Sequence, residues 1–177
     1  MEDDYVDIGR WFSILNRRSQ LFVVEACAKM HLTYSEYVML IRIYDHEGAR
    51  QDDLAEMLYL DKAVVTRTMN LLQEKGLVRR ERDEDDRRVR RIFLTDYGRE
   101  KHAYLRNIIQ RWVDYLTAGM DLEEVRTMIA GFRALAERAS QANLPRLARH
   151  ISDVPEKGGY ILDVEKKGQN HENQESC

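Results

Sequence analysis

The densest charge cluster in the chain runs from Arg79 to Arg91, where Arg79, Arg80, Arg82, Arg87, Arg88, Arg90 and Arg91 interleave with Glu81, Asp83, Glu84, Asp85 and Asp86. Guanidinium groups are planar, permanently charged and weakly hydrated, which suits phosphates and narrow electronegative grooves. The same run also reads as a solvated, salt-bridged hairpin, and composition alone does not separate the two. Just upstream, Val65, Met69 and Leu72 mark the buried face of a helix. Its opposite face carries Lys62, Ala63, Thr66, Arg67, Asn70 and Gln73. Those side chains are small or hydrogen-bonding, with no long apolar group among them, as a surface that meets base edges requires. The net charge of −3 argues weakly against nucleic-acid binding if read globally. Local positive potential is what displaces counterions, so the distribution outweighs the sum.

Other chemistries find less in the sequence. Cys27 and Cys177 are far apart, so neither a disulfide framework nor a paired-thiol metal motif is expected. Cys27 sits among Val23, Val24 and Ala26 near a helix end, where a buried inert thiol competes with a redox-sensing one. His31, His46 and His102 have no ligand-pair spacing on one helix, so no metal is expected. The carboxylates Asp83 to Asp86 resemble a cation site, but the neighbouring arginines compete for them. There is no Gly-rich phosphate loop and no nucleophile elbow, and the chain reads as a non-enzyme without a cofactor.

The elements that must hold these residues follow from periodicity. Apolar residues at Tyr5, Ile8, Phe12, Leu15, Phe22, Ala26 and Met30, with Trp11, Ile14 and Leu21 beside them, predict one long helix with a broad apolar surface. Thr33 and Glu36 form a capping box that opens a second helix, with Tyr37, Leu40, Ile41 and Tyr44 inward and a stop at Gly48. Two helical stretches follow, Gln51 to Leu58 and Asp61 to Lys75, with Asp61 as N-cap. Only Tyr59 and Leu60 separate them, a spacing that suits a helix-turn-helix packed on the small Ala55. After Gly76 the period changes to two, and residues 77–82 and 90–95 predict an antiparallel hairpin with Ile92 and Leu94 inward. Thr95 caps a long helix with Tyr104, Leu105, Ile108, Ile109, Trp112, Tyr115 and Leu116. Asp121 and Glu124 box the start of another, carrying Leu122, Val125, Met128, Ile129, Phe132, Leu135 and Ala139. From about Gln141 the pattern fades into a polar tail, expected to be mostly irregular apart from a short apolar patch, 160–164.

Order is what raises these separate signals. A capped helix, a short turn, a polar-faced helix, a glycine and an Arg-rich hairpin occur in sequence. The run Asp86-Arg87-Arg88, followed by the strand Arg90-Arg91-Ile92-Phe93-Leu94 and then Thr95-Asp96-Tyr97-Gly98, resembles the wing signature of the MarR family, Asp-x-Arg and then Leu-Thr-x-x-Gly. Leu54-Ala55, residues 61–67 and residues 72–78 resemble the same family's recognition helix and its exit into the wing. The resemblance covers about residues 8 to 140.

It implies a mainly α fold with a small β-hairpin wing (α+β): a winged helix-turn-helix at 33–95, a helical dimerisation region at 1–32 and 96–140, and an extension at 141–177. The broad apolar faces of the flanking helices agree with a homodimer. By the resemblance, Lys62, Ala63, Thr66, Arg67 and Asn70 face the major groove of double-stranded DNA. Arg88 enters the minor groove with Asp86 holding its guanidinium, and Arg50, Gln51, Arg87 and Arg90 lie at the same interface. Arg50 departs from the family's usual Ser or Thr cap, so that helix start is set differently or Arg50 meets phosphate. The resemblance also implies a crevice for a small aromatic or hydrophobic effector, with Trp11, Arg17, Arg18, Tyr34 and Tyr37 as lining candidates; an aromatic core with solvated arginines is the plainer account of each. The expected function is a repressor of transcription acting at a pseudo-palindromic operator. The alternatives are a winged-helix protein-interaction module and a cysteine-based redox regulator. The acidic start Met1-Glu2-Asp3-Asp4 and the lack of a run of roughly 20 apolar residues point to a cytoplasmic protein with no membrane partner.

Overall fold

The computed structural model describes residues 2–152, with the side chains of 7–149. The elements, in chain order, are α1 (Glu2–Ala26), a 3-10 turn (Ala28–Met30), α2 (Tyr34–Asp45), α3 (Gln51–Met57), α4 (Lys62–Glu74), β1 (Val78–Arg82), β2 (Arg90–Leu94), α5 (Asp96–Leu116), α6 (Leu122–Gln141) and α7 (Leu144–Ser152). Residues up to Gly119 form one compact unit, and α6 and α7 belong to a second. Among the described residues no helix is long and apolar enough to cross a membrane.

In the first unit α2 is the central element, packed against α1, α4, α5 and β2. This explains why it buries more than one narrow stripe. Tyr37 and Leu40 are buried as expected, but so are Met39 and Ile43, whereas Ile41 and Tyr44 are only half-buried. Both bonds of the predicted capping box at its start are present: the Glu36 amide donates to Thr33 Oγ1 (3.3 Å) and the Thr33 amide to Glu36 Oε2 (2.7 Å). Val65, Met69 and Leu72 of α4 and Ile92 and Leu94 of β2 close the same core. Burying side chains of this size contributes roughly 1.5–3 kcal/mol each before the cost of ordering the chain.

Three local expectations are corrected. The first helix stops at Ala26, and the chain tightens into a 3-10 turn before His31 takes a left-handed conformation (φ 52°). The His31 carbonyl is held there by the ammonium of Lys75, the C-cap of α4 (2.6 Å), a contact that periodicity cannot reveal. Asp61 occupies the N-cap position of α4, but its side chain accepts no capping hydrogen bond. The start of the tail, where the periodic pattern fades, carries one more helix. Asn143 Oδ1 accepts the Arg146 amide (3.0 Å), Pro145 fits the first turn of a helix, and α7 follows. The apolar patch at 160–164 lies outside the described residues.

β1 and β2 pair antiparallel in the register Val78 with Leu94 through Arg82 with Arg90. A third short segment joins their edge. The Gly48 amide donates to the Ile92 carbonyl (2.8 Å), the Ile92 amide to the Ala49 carbonyl (3.0 Å), and Arg50 bridges to Arg91. Gly98 seats the start of α5 against this hairpin, since a Cβ placed there would lie 2.1 Å from the Leu77 carbonyl oxygen. That close approach is the physical reason for a glycine three residues after Thr95.

Candidate nucleic-acid interface

The turn between α3 and α4 fixes the angle at which α4 is presented. Tyr59 adopts a left-handed conformation (φ 53°), and the Leu60 amide donates back to the Ala55 carbonyl (3.0 Å) over a buried Ala55. With Val65, Met69 and Leu72 committed to the core, the other face of α4 is set by the helical period. Lys62, Ala63, Thr66, Arg67 and Asn70 are all exposed on it.

Several of these groups already have protein partners. Gln51 Nε2 donates to Thr66 Oγ1 (2.7 Å), which itself donates to the Lys62 carbonyl (2.9 Å). Thr66 therefore offers outward only its methyl group and one remaining lone pair. Lys62 Nζ pairs with Asp52 (2.7 Å), and that hydrogen bond raises the pKa of the lysine. The pair is exposed on both sides, so it holds weakly and yields readily to a phosphate. Asn70 Oδ1 accepts from Arg80 Nη1 (2.7 Å), a β1 side chain absent from the sequence-based candidates. Burial and the nearby Arg90 charge lower the Arg80 pKa.

Arg50 sits at the N-cap of α3, and the departure noted in the sequence is resolved by backbone contacts. The Arg50 amide donates to Asp53 Oδ2 (3.2 Å), and the bridge to Arg91 fixes the approach of the chain, so no side-chain cap is needed. Its guanidinium is left to line a groove of about 300 Å³ with Gln51, Asp52, Asp53, Arg88, Val89 and Arg90. Gln51 and Arg50 from α3 and Arg88 and Arg90 from the hairpin are thus brought together.

Asp86, Arg87 and Arg88 form the exposed tip of the hairpin, and Arg90 is the exposed first residue of β2. Asp86 does not grip the Arg88 guanidinium. Its Oδ1 accepts the Arg88 backbone amide (2.9 Å), so it shapes the turn and leaves the guanidinium free to project. The wing is anchored by a residue that charge patterning did not single out, Asp83, which is 4% exposed. Its carboxylate accepts the Asp85 and Asp86 amides (3.0 Å each) and the Arg91 Nε. The Asp86 amide and the Arg91 side chain lead the causes that hold its pKa below the ordinary value. Arg91 Nη1 also donates to the Gly48 carbonyl (2.9 Å), which ties the hairpin to the segment before α3. An Asp followed two residues later by Asp or Gly amides is a turn signal, but its pairing with Arg91 needs the hairpin register to be known.

The proposed effector-lining residues are dispersed in role. Tyr37 is buried, and its hydroxyl donates to the Leu105 carbonyl (3.2 Å). Burial, helped by Cys27 and Tyr34, pushes its phenol up to about 12. Tyr34 is half-buried, while Trp11, Arg17 and Arg18 are exposed on α1. Cys27 is wholly buried, and burial pushes its thiol up to about 11, so it is a protonated, poorly nucleophilic group.

This arrangement, a helix-turn-helix whose second helix exposes hydrogen-bonding groups beside an arginine-bearing hairpin, has close counterparts. The sequence pattern that defines the MarR family matches residues 32–89. A crystal structure of MarR is 30% identical, with a TM-score of 0.69 over 74% of this chain and 89% of that one. The chain belongs to the MarR family. Its members are transcription regulators rather than enzymes, in line with the absence of a catalytic motif in the sequence. Among curated MarR-type relatives, the HTH-type transcriptional regulator TtmR of Methylorubrum extorquens is 32% identical over 67% of this chain. The match spans 62% of that relative's length. The MarR fold also appears in FabT of Streptococcus pneumoniae, solved in complex with DNA, at 26% identity and a TM-score of 0.64 over 75% of this chain and 95% of that one.

Proposed function

We propose that this chain is a cytoplasmic, homodimeric repressor that binds double-stranded DNA at a pseudo-palindromic operator. The observation that carries the proposal is the exposed polar face of α4, supported from below by Gln51 and Arg80 and flanked by the wing tip. A helix roughly 10–12 Å wide fits the major groove, with Lys62, Ala63, Thr66, Arg67 and Asn70 toward the bases. Arg88 then reaches the adjacent minor groove, and Arg50, Arg87 and Arg90 meet phosphates. FabT, a relative with the same fold, has been seen on DNA.

A dimer accounts for apolar side chains that the first unit leaves in water. Trp11, Ile14 and Leu21 of α1 are each about half exposed, and Tyr115 and Leu116 of α5 are exposed as well. Leu135 of α6 adds another such group. Apolar surface on this scale is covered by a second copy in a two-fold arrangement, which in turn calls for two half-sites about one helical turn apart. Occupying such a site excludes other proteins from it, which is repression in its simplest form. For a small aromatic or hydrophobic effector, Trp11, Arg17, Arg18 and Tyr34 are the proposed contacts, since Tyr37 is committed to the core.

Selection of bound sequences from random duplexes tests the proposal. A two-fold related consensus is expected, protected by a species that sediments as a dimer at micromolar concentration. Equal affinity for all duplexes at moderate salt, or a stable monomer, refutes it.

A further inference from the structure

Arg80 projects from β1 beneath the exposed face of α4. Its Nη1 donates to Asn70 Oδ1 (2.7 Å) and its Nη2 to the Thr66 carbonyl (3.3 Å), while its Nε is buried without a partner among the described residues. Both acceptors are neutral. A guanidinium has five donor hydrogens and no acceptor, so the Asn70 atom that faces it must be the carboxamide oxygen. The alternative amide orientation would set NH2 against NH2. Asn70 is therefore held in one sense, with its oxygen toward a cation and its Nδ2 hydrogens available on the exposed side, beside a groove of about 240 Å³ lined by Asn70, Gln73, Glu74 and Arg80.

This fixed sense has a consequence for base recognition. An asparagine that reads adenine does so with both ends of its amide, accepting from N6 and donating to N7. We infer that Arg80 is a specificity-setting positioning residue, which by turning the Asn70 oxygen toward itself and away from the DNA-facing side makes Asn70 a hydrogen-bond donor toward base-edge acceptors rather than a bidentate reader of adenine. The inference rests on the DNA-binding reading above and names what that site prefers. Guanine, with N7 and O6 both accepting, is favoured under Asn70. Cytosine, which presents an N4 donor, is disfavoured.

The experiment measures affinities of the full chain for duplexes carrying each of the four base pairs at every operator position, at two salt concentrations. Asn70→Ala locates the position that Asn70 reads, because the ranking flattens there. At that position the unsubstituted chain should prefer guanine over adenine. Arg80→Met removes the donors while keeping a long apolar stem, which lets the amide turn over, and adenine should gain about tenfold relative to guanine. In the Asn70→Ala background the same change should leave the ranking unmoved. The salt dependence should be the same with and without Arg80, since a residue that positions another displaces no counterion. Arg80→Leu, which likewise offers Asn70 no donor, repeats the measurement if Arg80→Met lowers the melting temperature to the assay range. A uniform loss across all base pairs, a salt slope shallower by about one, or a ranking change that persists without Asn70 overturns the inference alone. A chain that binds no duplex overturns it together with the reading on which it rests.

Discussion

Replacing Gly98 by Ala should destabilise the chain even though alanine is the better helix former. The added Cβ would sit 2.1 Å from the Leu77 carbonyl oxygen, where real Cβ contacts are not found under 3.0 Å, so α5 and the β1 entry must separate by about an ångström. Three hydrogen bonds stand in the way of that movement. The Gly98 amide donates to Thr95 Oγ1 (2.9 Å), the Thr95 amide to the Leu77 carbonyl (3.1 Å), and the Tyr44 hydroxyl to the Gly98 carbonyl. At about 1 kcal/mol net each, their loss amounts to roughly 3 kcal/mol. Up to about 1 kcal/mol returns from helix propensity, although Gly98 lies in the first turn, where the gain is smaller. The net cost of roughly 2–3 kcal/mol translates into a fall in melting temperature of about 4–12 °C. Thermal unfolding followed by circular dichroism at 222 nm measures it. A variant that melts at or above the parent temperature would show that propensity dominates and that the close approach is not a constraint.

Three further outcomes are expected. Arg88→Ala should weaken binding to related operators by roughly tenfold to a hundredfold with little re-ranking beyond lost A·T preference under the wing, whereas Arg67→Ala should change the ranking at one base pair; the reverse pattern in a competition panel refutes the groove assignment. Burial alone would raise the pKa of Glu36, but hydrogen bonds from Lys75 and Thr33 and the Lys75 charge outweigh it, so the folded value is lowered. A lowered folded pKa contributes stability above the ordinary carboxylate value, about 4.3, and loses it as pH falls through the folded value. The stability gap between the parent and Glu36→Gln should thus be present at pH 7 and shrink below about pH 4, and a gap independent of pH contradicts this. Cys27, followed by peptide mass, should react with iodoacetamide at pH 8 at least about a hundredfold more slowly in the native chain than in denaturant, and fast native labelling would return the redox-sensing alternative to consideration.

Much of this architecture was legible because local chemistry and global packing agree. Thr33 with Glu36 and Asp121 with Glu124 read as capping boxes, and both boxes are formed. The hairpin register places Ile92 and Leu94 inward as alternation requires. What stayed hidden depends on partners distant in sequence. The His31 carbonyl is held by Lys75, Asp83 is fixed by Arg91 across the strands, and Asn70 is oriented by Arg80 ten residues on. A single chain of residue types carries charge and period, but it does not say which arginine of seven turns inward. The α7 start was different, since Asn143 and Pro145 are a legible helix opening that the polar surroundings obscured.

The buried Asp83 and its arginine partner brace the wing just below its tip, and the exposed residues Asp86 to Arg88 stand beyond them. Anchor and fingertip are therefore separate sets of residues. Substitutions at the tip change what the wing touches without loosening its attachment, whereas substitutions at the anchor disturb every contact at once. Among descendants of such a chain, binding strength and the A·T preference under the wing can drift at the tip, one residue at a time, while the anchor pair changes only in concert.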